Sequence, residues 1–402
     1  MPAASQTFPL HWPLVGAAAL TGPLAALAPL GLTPLISVAG LALSVPVWRR
    51  RHRIGGDLAL AIWLVLVVGL CLLSAAWSDH PWQSLTGAVN LGLLLAAGYV
   101  VWAAAAMLEP ERRKMVLTAL VGGTVVAALV LGGFEMAIYW REAPNDFLRQ
   151  LWLSGHSRGV IVLALLFWPA IHVLSARSRP AAVGLAILVA VVVWFGGTIS
   201  AVVALALGLL GWSAARLAPR LSSRVGAVAV AAFVLAAPWW ASLWPTPQQL
   251  ADALPFLRGS AMHRAVIWQF TANNIAVRPL TGWGFESSRW IPGADDQAQV
   301  FVPAAGTTVR LTQLPLHPHD APLQWWLELG LPGALLLAAG LALALWRVGG
   351  WQPVRRRALG LAVLAALIGV SAISFGAWQK WWLAGIWLMA AWTRLGGDDS
   401  PA

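Results

Sequence analysis

Runs of roughly twenty mostly apolar residues, each long enough to cross a bilayer as a helix, recur along the 402-residue chain between short breaks rich in arginine, proline or glycine. No water reaches the backbone in hydrocarbon, so every peptide group must bond within the segment or to a closed barrel, and twenty-residue runs select helices. About twelve spans are expected, near 14–30, 31–47, 57–77, 85–107, 115–138, 157–175, 181–195, 198–215, 225–241, 322–346, 358–376 and 378–393. The expected fold class is therefore an all-α polytopic membrane protein. Charged residues make up 10% of the chain, against roughly 25% in a soluble domain, which excludes a soluble globular enzyme. Pro23, Pro29, Pro34 and Pro46 are expected to kink the first two spans. No basic stretch precedes the first apolar run, so a cleavable signal peptide is not expected. The single cysteine, Cys71, excludes an internal disulfide and a cysteine-rich metal site.

The 26 basic residues divide unevenly between alternate loops. Arg49–Arg53, Arg112–Lys114, Arg177 and Arg179, Arg216–Arg224, Arg347–Arg357 and Arg394 all fall on one side, which the positive-inside bias makes cytoplasmic, with both termini inside. Trp239–Trp240, Trp325–Trp326 and Trp381–Trp382 fall at span ends, where an aromatic belt at the headgroups is expected. The chain then divides into spans over 1–241, one large external loop over 242–321, and the last three spans with a short tail over 322–402. Long loops on a rigid scaffold tend to carry function. Within this one, Gly259–Val277 reads as a short amphipathic helix that Ser260 can cap and that Pro279 stops. Met262, Val266 and Phe270 share one side of it, and Arg264, Trp268, Thr271 and Ile275 another, so it could lie on the membrane surface with Arg264 toward an anion.

Lysine occurs only as Lys114 and Lys380, neither in a phosphate-loop motif, and there is no GxGxxG after a strand, no HExxH and no CxxC. Any substrate must bring its own energy. Three polar groups stand where the fold does not need them. Arg158, in Ser157-Arg158-Gly159 at the mouth of the sixth span, is costly at that depth unless it faces an anion, a cavity or the headgroups. His263-Arg264 with Trp268 marks the loop helix, where a solvated basic face is the plainer reading. Leu316-His317-Pro318-His319-Asp320 precedes the tenth span, with Gln324, Glu328 and Gly330-Leu331-Pro332-Gly333 behind it. Two imidazoles and a carboxylate there could bind a metal or act as a general base, or form only a polar entry to the span.

The block Leu316–Gly333, LHPHDAPLQWWLELGLPG, resembles the His-x-His-Asn, Leu-Gln and Glu-Leu-Gly-x-x-Gly run of the O-antigen ligase and polymerase family. Arg264-Ala-Val-Ile-Trp268 and Pro279-Leu-Thr-Gly-Trp-Gly284 resemble that family's Arg-x-x-x-Trp and Pro-x-x-Gly-x-Gly elements. Trp77-Ser-Asp-His-Pro81 with Ser84, and Arg158-Gly159 leading to Trp168-Pro169, are similar to further family segments, in the same order along the chain. Two positions depart from the pattern. Asp320 replaces the usual Asn, which bears on the pKa and orientation of His319, and Thr198-Ile-Ser200-Ala201 replaces a frequent Ser-Arg pair, removing one phosphate contact.

The resemblance implies a glycosyltransferase of the bacterial inner membrane, with a periplasmic active site that moves a polysaccharide from undecaprenyl diphosphate to a lipid A-core oligosaccharide. It implies His319, Arg264 and Arg158 as catalytic, and His317, Asp320, Trp268, Gln324 and His263 as substrate-binding. Neither cofactor nor metal is expected, and the partners are the two lipid-linked glycans and membrane lipids, not nucleic acid. Polymerase and protein O-oligosaccharyltransferase differ from ligase only in the acceptor. A lipid-linked oligosaccharide flippase would call for internal repeats and charges within several spans, and neither is evident. A metal-dependent transferase would draw on Asp79, Asp295 and Asp296 with His317 and His319.

Overall fold

The computed structural model describes residues 10–50, 58–139, 146–254, 259–303 and 306–396. Both chain termini, and the Arg51 and Arg53 of the charge count, lie outside these residues. A helix occupies each predicted span: α1 (His11–Leu27), α2 (Leu32–Arg49), α3 (Leu58–Ser74), α4 (Pro81–Ala106), α5 (Pro110–Tyr139), α6 (Asp146–Arg177), α7 (Arg179–Phe195), α8 (Ile199–Leu217) and α9 (Pro219–Leu235) with the short α10 (Ala237–Ser242). After the long loop come α13 (Ala321–Gly349), α14 (Val354–Ser371) and α15 (Lys380–Leu395). Among the described residues, six helices are long and apolar enough to cross a membrane: Pro29–Arg49, Pro81–Ala106, Pro110–Met136, Gly155–Arg177, Ile199–Leu217 and Ala321–Gly349. Leu58–Ser74 and Arg179–Phe195 are shorter apolar helices. The chain is a helical membrane protein. Pro29 opens a 3₁₀ turn, Pro29–Gly31, that separates α1 from α2, while Pro23 and Pro46 lie inside those helices.

The helices pack pairwise, α1 on α5, α8 on α14, α9 on α13, and both α2 and α15 on α4. Small residues permit the closest approaches. At one end of the bundle Arg394 lies near Arg113 and Arg356, and stacks 3.6 Å over Trp102. These arginines come from three breaks that the alternate-loop count places on one side. Arg216 over Trp212 and Arg224 over Trp346 repeat the cation–π arrangement.

The tryptophan pairs do not form the belt expected of them. Trp325, Trp326, Trp381 and Trp382 are buried in the protein, and only Trp239 is widely exposed. Each buried indole N–H requires an acceptor, and two are clear: Trp326 donates to the Val234 carbonyl at 2.8 Å and Trp381 to Gln379 Oε1 at 3.1 Å.

The 242–321 segment holds more structure than one helix. It contains α11 (Pro247–Ala253), started by a Thr246–Gln249 capping box, α12 (Gly259–Val277), and an antiparallel hairpin of β1 (Gln297–Val302) and β2 (Thr307–Thr312). The alternation Ala298, Val300, Val302 against Leu311, Val309 turns one hairpin face onto Met262 and Ala251. That apolar period was present in the sequence and marks the hairpin. The sequence pattern allows α12 to lie on a membrane surface, but both of its patterned sides are covered by protein. Met262 and Val266 on one side and Trp268, Thr271 and Ile275 on the other are all buried, because α10, α11, α13 and β2 surround it. Ser260 lies inside the helix rather than at its cap.

Candidate active site

At the end of the bundle that bears the long loop, two of the sequence motifs interlock through their backbones. Gly330 breaks α13 with φ 62° and ψ −156°, which frees carbonyls of the preceding turn. Trp283 N–H donates to the Leu327 carbonyl and Gly284 N–H to the Glu328 carbonyl, both at 2.9 Å, while Leu331 N–H returns to the Pro279 carbonyl at 2.9 Å. A Cβ at Gly282 would stand 2.5 Å from the Glu328 carbonyl, and one at Gly330 2.5 Å from the Leu280 carbonyl. Gly282 of Pro-x-x-Gly-x-Gly and Gly330 of Glu-Leu-Gly-x-x-Gly are thus required by one shared contact. The Trp77–Pro81 segment and Ser84 hold the same loop: Trp77 donates to the Thr281 carbonyl, Ser84 to the Phe285 carbonyl, and Arg278 pairs with Asp79 at 3.3 Å.

Behind this junction the Glu328 carboxylate is fully buried and accepts from Gln324 Nε2 at 3.0 Å, Trp378 Nε1 at 2.8 Å, the Glu286 N–H at 2.7 Å and the Ser288 hydroxyl. Four donors to one carboxylate make it an anchor between the loop, α13 and the chain that precedes α15.

The two histidines next to Pro318 have different surroundings. His317 is buried, its Nδ1 accepts the His319 N–H at 3.2 Å, and its Nε2 lies 2.8 Å from the Gln379 amide. Burial, with His319 and Arg289 nearby, drives its pKa down to about 3, so the ring is neutral. His319 takes a left-handed backbone, φ 56°, and its Nδ1 lies 2.6 Å from the Ser374 carbonyl. A carbonyl only accepts, so Nδ1 carries the proton and the lone pair of the neutral ring resides on Nε2. Burial lowers the His319 pKa, opposed by the Ser374 carbonyl and assisted by Arg264 and His263. Ser374 is held in turn by Ser200 at the start of α8, the segment where the family pattern was broken. Arg264 is itself lowered in pKa by burial, and its Nε is buried with no hydrogen-bond partner among the described residues.

The family described as O-antigen ligase matches residues 165–338 of this chain. That stretch runs from α6 through the whole long loop and into α13, so it contains the interlocked glycines and both histidines. Over that stretch the chain is similar to the O-antigen ligase family. Over 332 residues it is 25% identical to a "Putative polysaccharide ligase" of Rickettsia conorii, covering 81% of this chain and 77% of the relative. Proteins of the same name from Rickettsia prowazekii and Rickettsia bellii are 26% and 29% identical over 334 and 329 residues, 81% of this chain and 78% of each relative. These similarities point to a ligase-type glycosyltransferase family.

The eight residues singled out from sequence fall into two groups. Arg158 reaches the histidines by a relay: its guanidinium stands 5.7 Å over the Trp381 ring, Trp381 donates to Gln379, and Gln379 meets His317. Arg264 acts directly on the electrostatics of His319. The remaining polar ends are occupied by the scaffold. His263 Nε2 meets the Thr312 carbonyl at 2.8 Å, Trp268 donates to the Pro318 carbonyl at 3.1 Å, and Gln324 joins Glu328 to the Ala377 N–H. Asp320 caps α13 by accepting the Leu323 N–H at 2.7 Å. Its other oxygen is buried without a partner among the described residues, and burial raises the pKa to about 8, so the side chain is a neutral acid at neutral pH. A neutral acid presents an acceptor oxygen and one donor, as the usual Asn presents an acceptor oxygen and an N–H₂ group.

The chain between α14 and α15 carries site residues that the span pattern hides. It was divided between two predicted spans, 358–376 and 378–393, yet α14 ends at Ser371 and α15 starts at Lys380. The intervening Ser374, Ala377, Trp378 and Gln379 touch His319, Gln324, Glu328 and His317 in turn. The one available signal was Ser-Phe-Gly-Ala-Trp-Gln-Lys, too polar for a span centre. Arg289 and Lys380 were also missed. Their charges lower the pKa of Glu286, which burial raises. Asp79 is engaged by Arg278, and no three His, Cys, Asp or Glu side chains among the described residues cluster as metal ligands do.

Proposed function

We propose that this chain transfers a polysaccharide from undecaprenyl diphosphate to a lipid A-core oligosaccharide at the periplasmic face of the bacterial inner membrane, without a metal and with inversion at the anomeric carbon. The observation that carries this reading is the fixed tautomer of His319 beside a buried arginine with an unpartnered donor. The His319 Nε2 lone pair takes the proton of the acceptor hydroxyl as the oxygen attacks the anomeric carbon, and the bond from that carbon to the diphosphate breaks. Burial keeps His319 neutral and ready to accept the proton. Negative charge grows on the departing diphosphate, where Arg264 and Arg158 supply guanidiniums that stay protonated and grip phosphate oxygens in pairs. The energy of the transfer resides in the glycosyl diphosphate, in keeping with a sequence that has no nucleotide-binding motif.

His319→Ala in the reconstituted full chain is expected to lower transfer by about a hundredfold or more, the scale of general-base catalysis. His317→Ala is expected to be milder. Retention of more than a tenth of wild-type transfer by His319→Ala overturns the assignment of the base, and loss of activity in EDTA overturns the metal-free mechanism. In a deletion strain, free lipid-linked polymer beside bare lipid A-core is the ligase outcome, whereas core capped by single units identifies a polymerase.

A further inference from the structure

On the side of α12 turned away from Arg264, an open cavity of about 320 Å³ lies between α11, α12 and the hairpin. Val266, Gln269, Phe270 and Asn273, one stripe at helical spacing, form its wall on α12, and Gln313 closes it beyond β2. Gln248, at the edge, is fully used in tying α11 to β1 through Phe301 and cannot serve a ligand. Gln269 spends its amide nitrogen on the Trp244 carbonyl at 2.9 Å and keeps its oxygen free. The side-chain amides of Asn273 and Gln313 have no partner among the described residues. No charged residue lines the cavity among the described residues.

An uncharged lining offers nothing to a phosphate, and free amides are wasted on a lipid tail. Hydroxyl groups both donate and accept, and an amide presents a donor and an acceptor in one plane to match them. The Phe270 ring adds an apolar surface for the C–H face of a pyranose. A volume of this size sits at the lower end for ligand sites, with few polar groups fixing orientation. We propose that this cavity is a glycan subsite that binds an uncharged sugar unit one helix width away from His319. The proposal rests on the glycosyl-transfer reading and deepens it. The sugar can belong to the donor polymer or to the acceptor oligosaccharide, and the helix keeps it apart from the charged leaving group.

The test uses the full-length protein in lipid nanodiscs, with two probes released from native cells: the glycan freed from its diphosphate carrier by mild acid, and the core oligosaccharide. Binding is read by saturation-transfer NMR, which needs no turnover. One of the two probes is expected to show saturation on uncharged sugar protons, and the probe that responds identifies the source. Asn273→Ala and Gln313→Ala are each expected to weaken that binding about fivefold, the loss of one hydrogen bond. Asn273 is exposed, so its truncation leaves the fold intact, and unchanged thermal unfolding verifies this. His319→Ala is expected to bind the probe as wild type does. No saturation with either probe, or equal binding by wild type and both amide variants, overturns the subsite. Full transfer by His319→Ala with amide-dependent binding retained overturns the catalytic assignment and leaves the subsite standing.

Discussion

Arg264 and Asn273 lie on the same 19-residue helix and face opposite ways. Arg264, with Trp268 beside it, turns to the loop of His319, where burial lowers the pKa of guanidinium and imidazole alike. Asn273, with Gln269, turns to a cavity that, among the described residues, is lined by neutral groups. Charge is most useful where water is excluded and where charge develops in the reaction, because electrostatic interactions strengthen as the surroundings lose water. Hydroxyl recognition needs no such environment and is better served by neutral amides in an open pocket. One rigid helix, about 10 Å across with its side chains, separates the two tasks.

After His319, the largest effect is expected at Arg264. Arg264→Ala should lower transfer about a hundredfold, the scale of removing one donor to a developing anion. Arg264→Lys should remain clearly impaired, since the paired donors are lost. If Arg158 and Arg264 grip one diphosphate, the double alanine variant loses less than the two single losses multiplied, as initial rates on purified protein will reveal. Independent losses would separate Arg158 from the charged face.

Asp320 comes next and is read by stability. The folded protein holds the Asp320 proton up to about pH 8, whereas the unfolded chain releases it near the ordinary carboxyl value of 3.8. Between those values the folded state binds more protons than the unfolded one, so this residue's contribution to stability falls as pH rises and levels off above about pH 8. Asp320→Asn removes that dependence while keeping the cap on α13. Thermal unfolding of the variant should exceed wild type by about a few degrees at alkaline pH and by less in acid. A difference that stays constant with pH sinks the account of Asp320 as a neutral acid.

The smallest effect belongs to His263, next to Arg264 in sequence but turned to the Thr312 carbonyl. His263→Ala should cost about 1 kcal/mol in stability, the value of one hydrogen bond, with transfer rates within about threefold of wild type. A rate loss as large as that of Arg264→Ala would move His263 from the scaffold into the chemistry.

The placement of the helices was legible because a bilayer leaves the backbone few choices, and the Pro-x-x-Gly-x-Gly and Glu-Leu-Gly-x-x-Gly elements were legible as motifs. Their reason was not, since the contact between Gly282 and the Glu328 carbonyl joins residues far apart in the chain. The tryptophan pairs misled for a related reason. An indole at a span end can face lipid headgroups or the protein interior, and period alone does not distinguish the two. The segment from Ser374 to Gln379 escaped notice because apolar residues on both sides absorbed it into spans, although its carbonyl at Ser374 fixes the tautomer of His319.

By itself the sequence determined a helical membrane protein and a small set of arginines and histidines with no structural excuse, because hydrophobic run length and unneeded charge are local properties of a chain. Tertiary structure alone decided which histidine keeps an open nitrogen, which polar residues were scaffold, and which face of α12 meets charge. Those outcomes depend on what each polar atom finds as a partner once desolvated, and partners such as the Ser374 carbonyl, the Thr312 carbonyl and the Gln379 amide come from other elements of the fold.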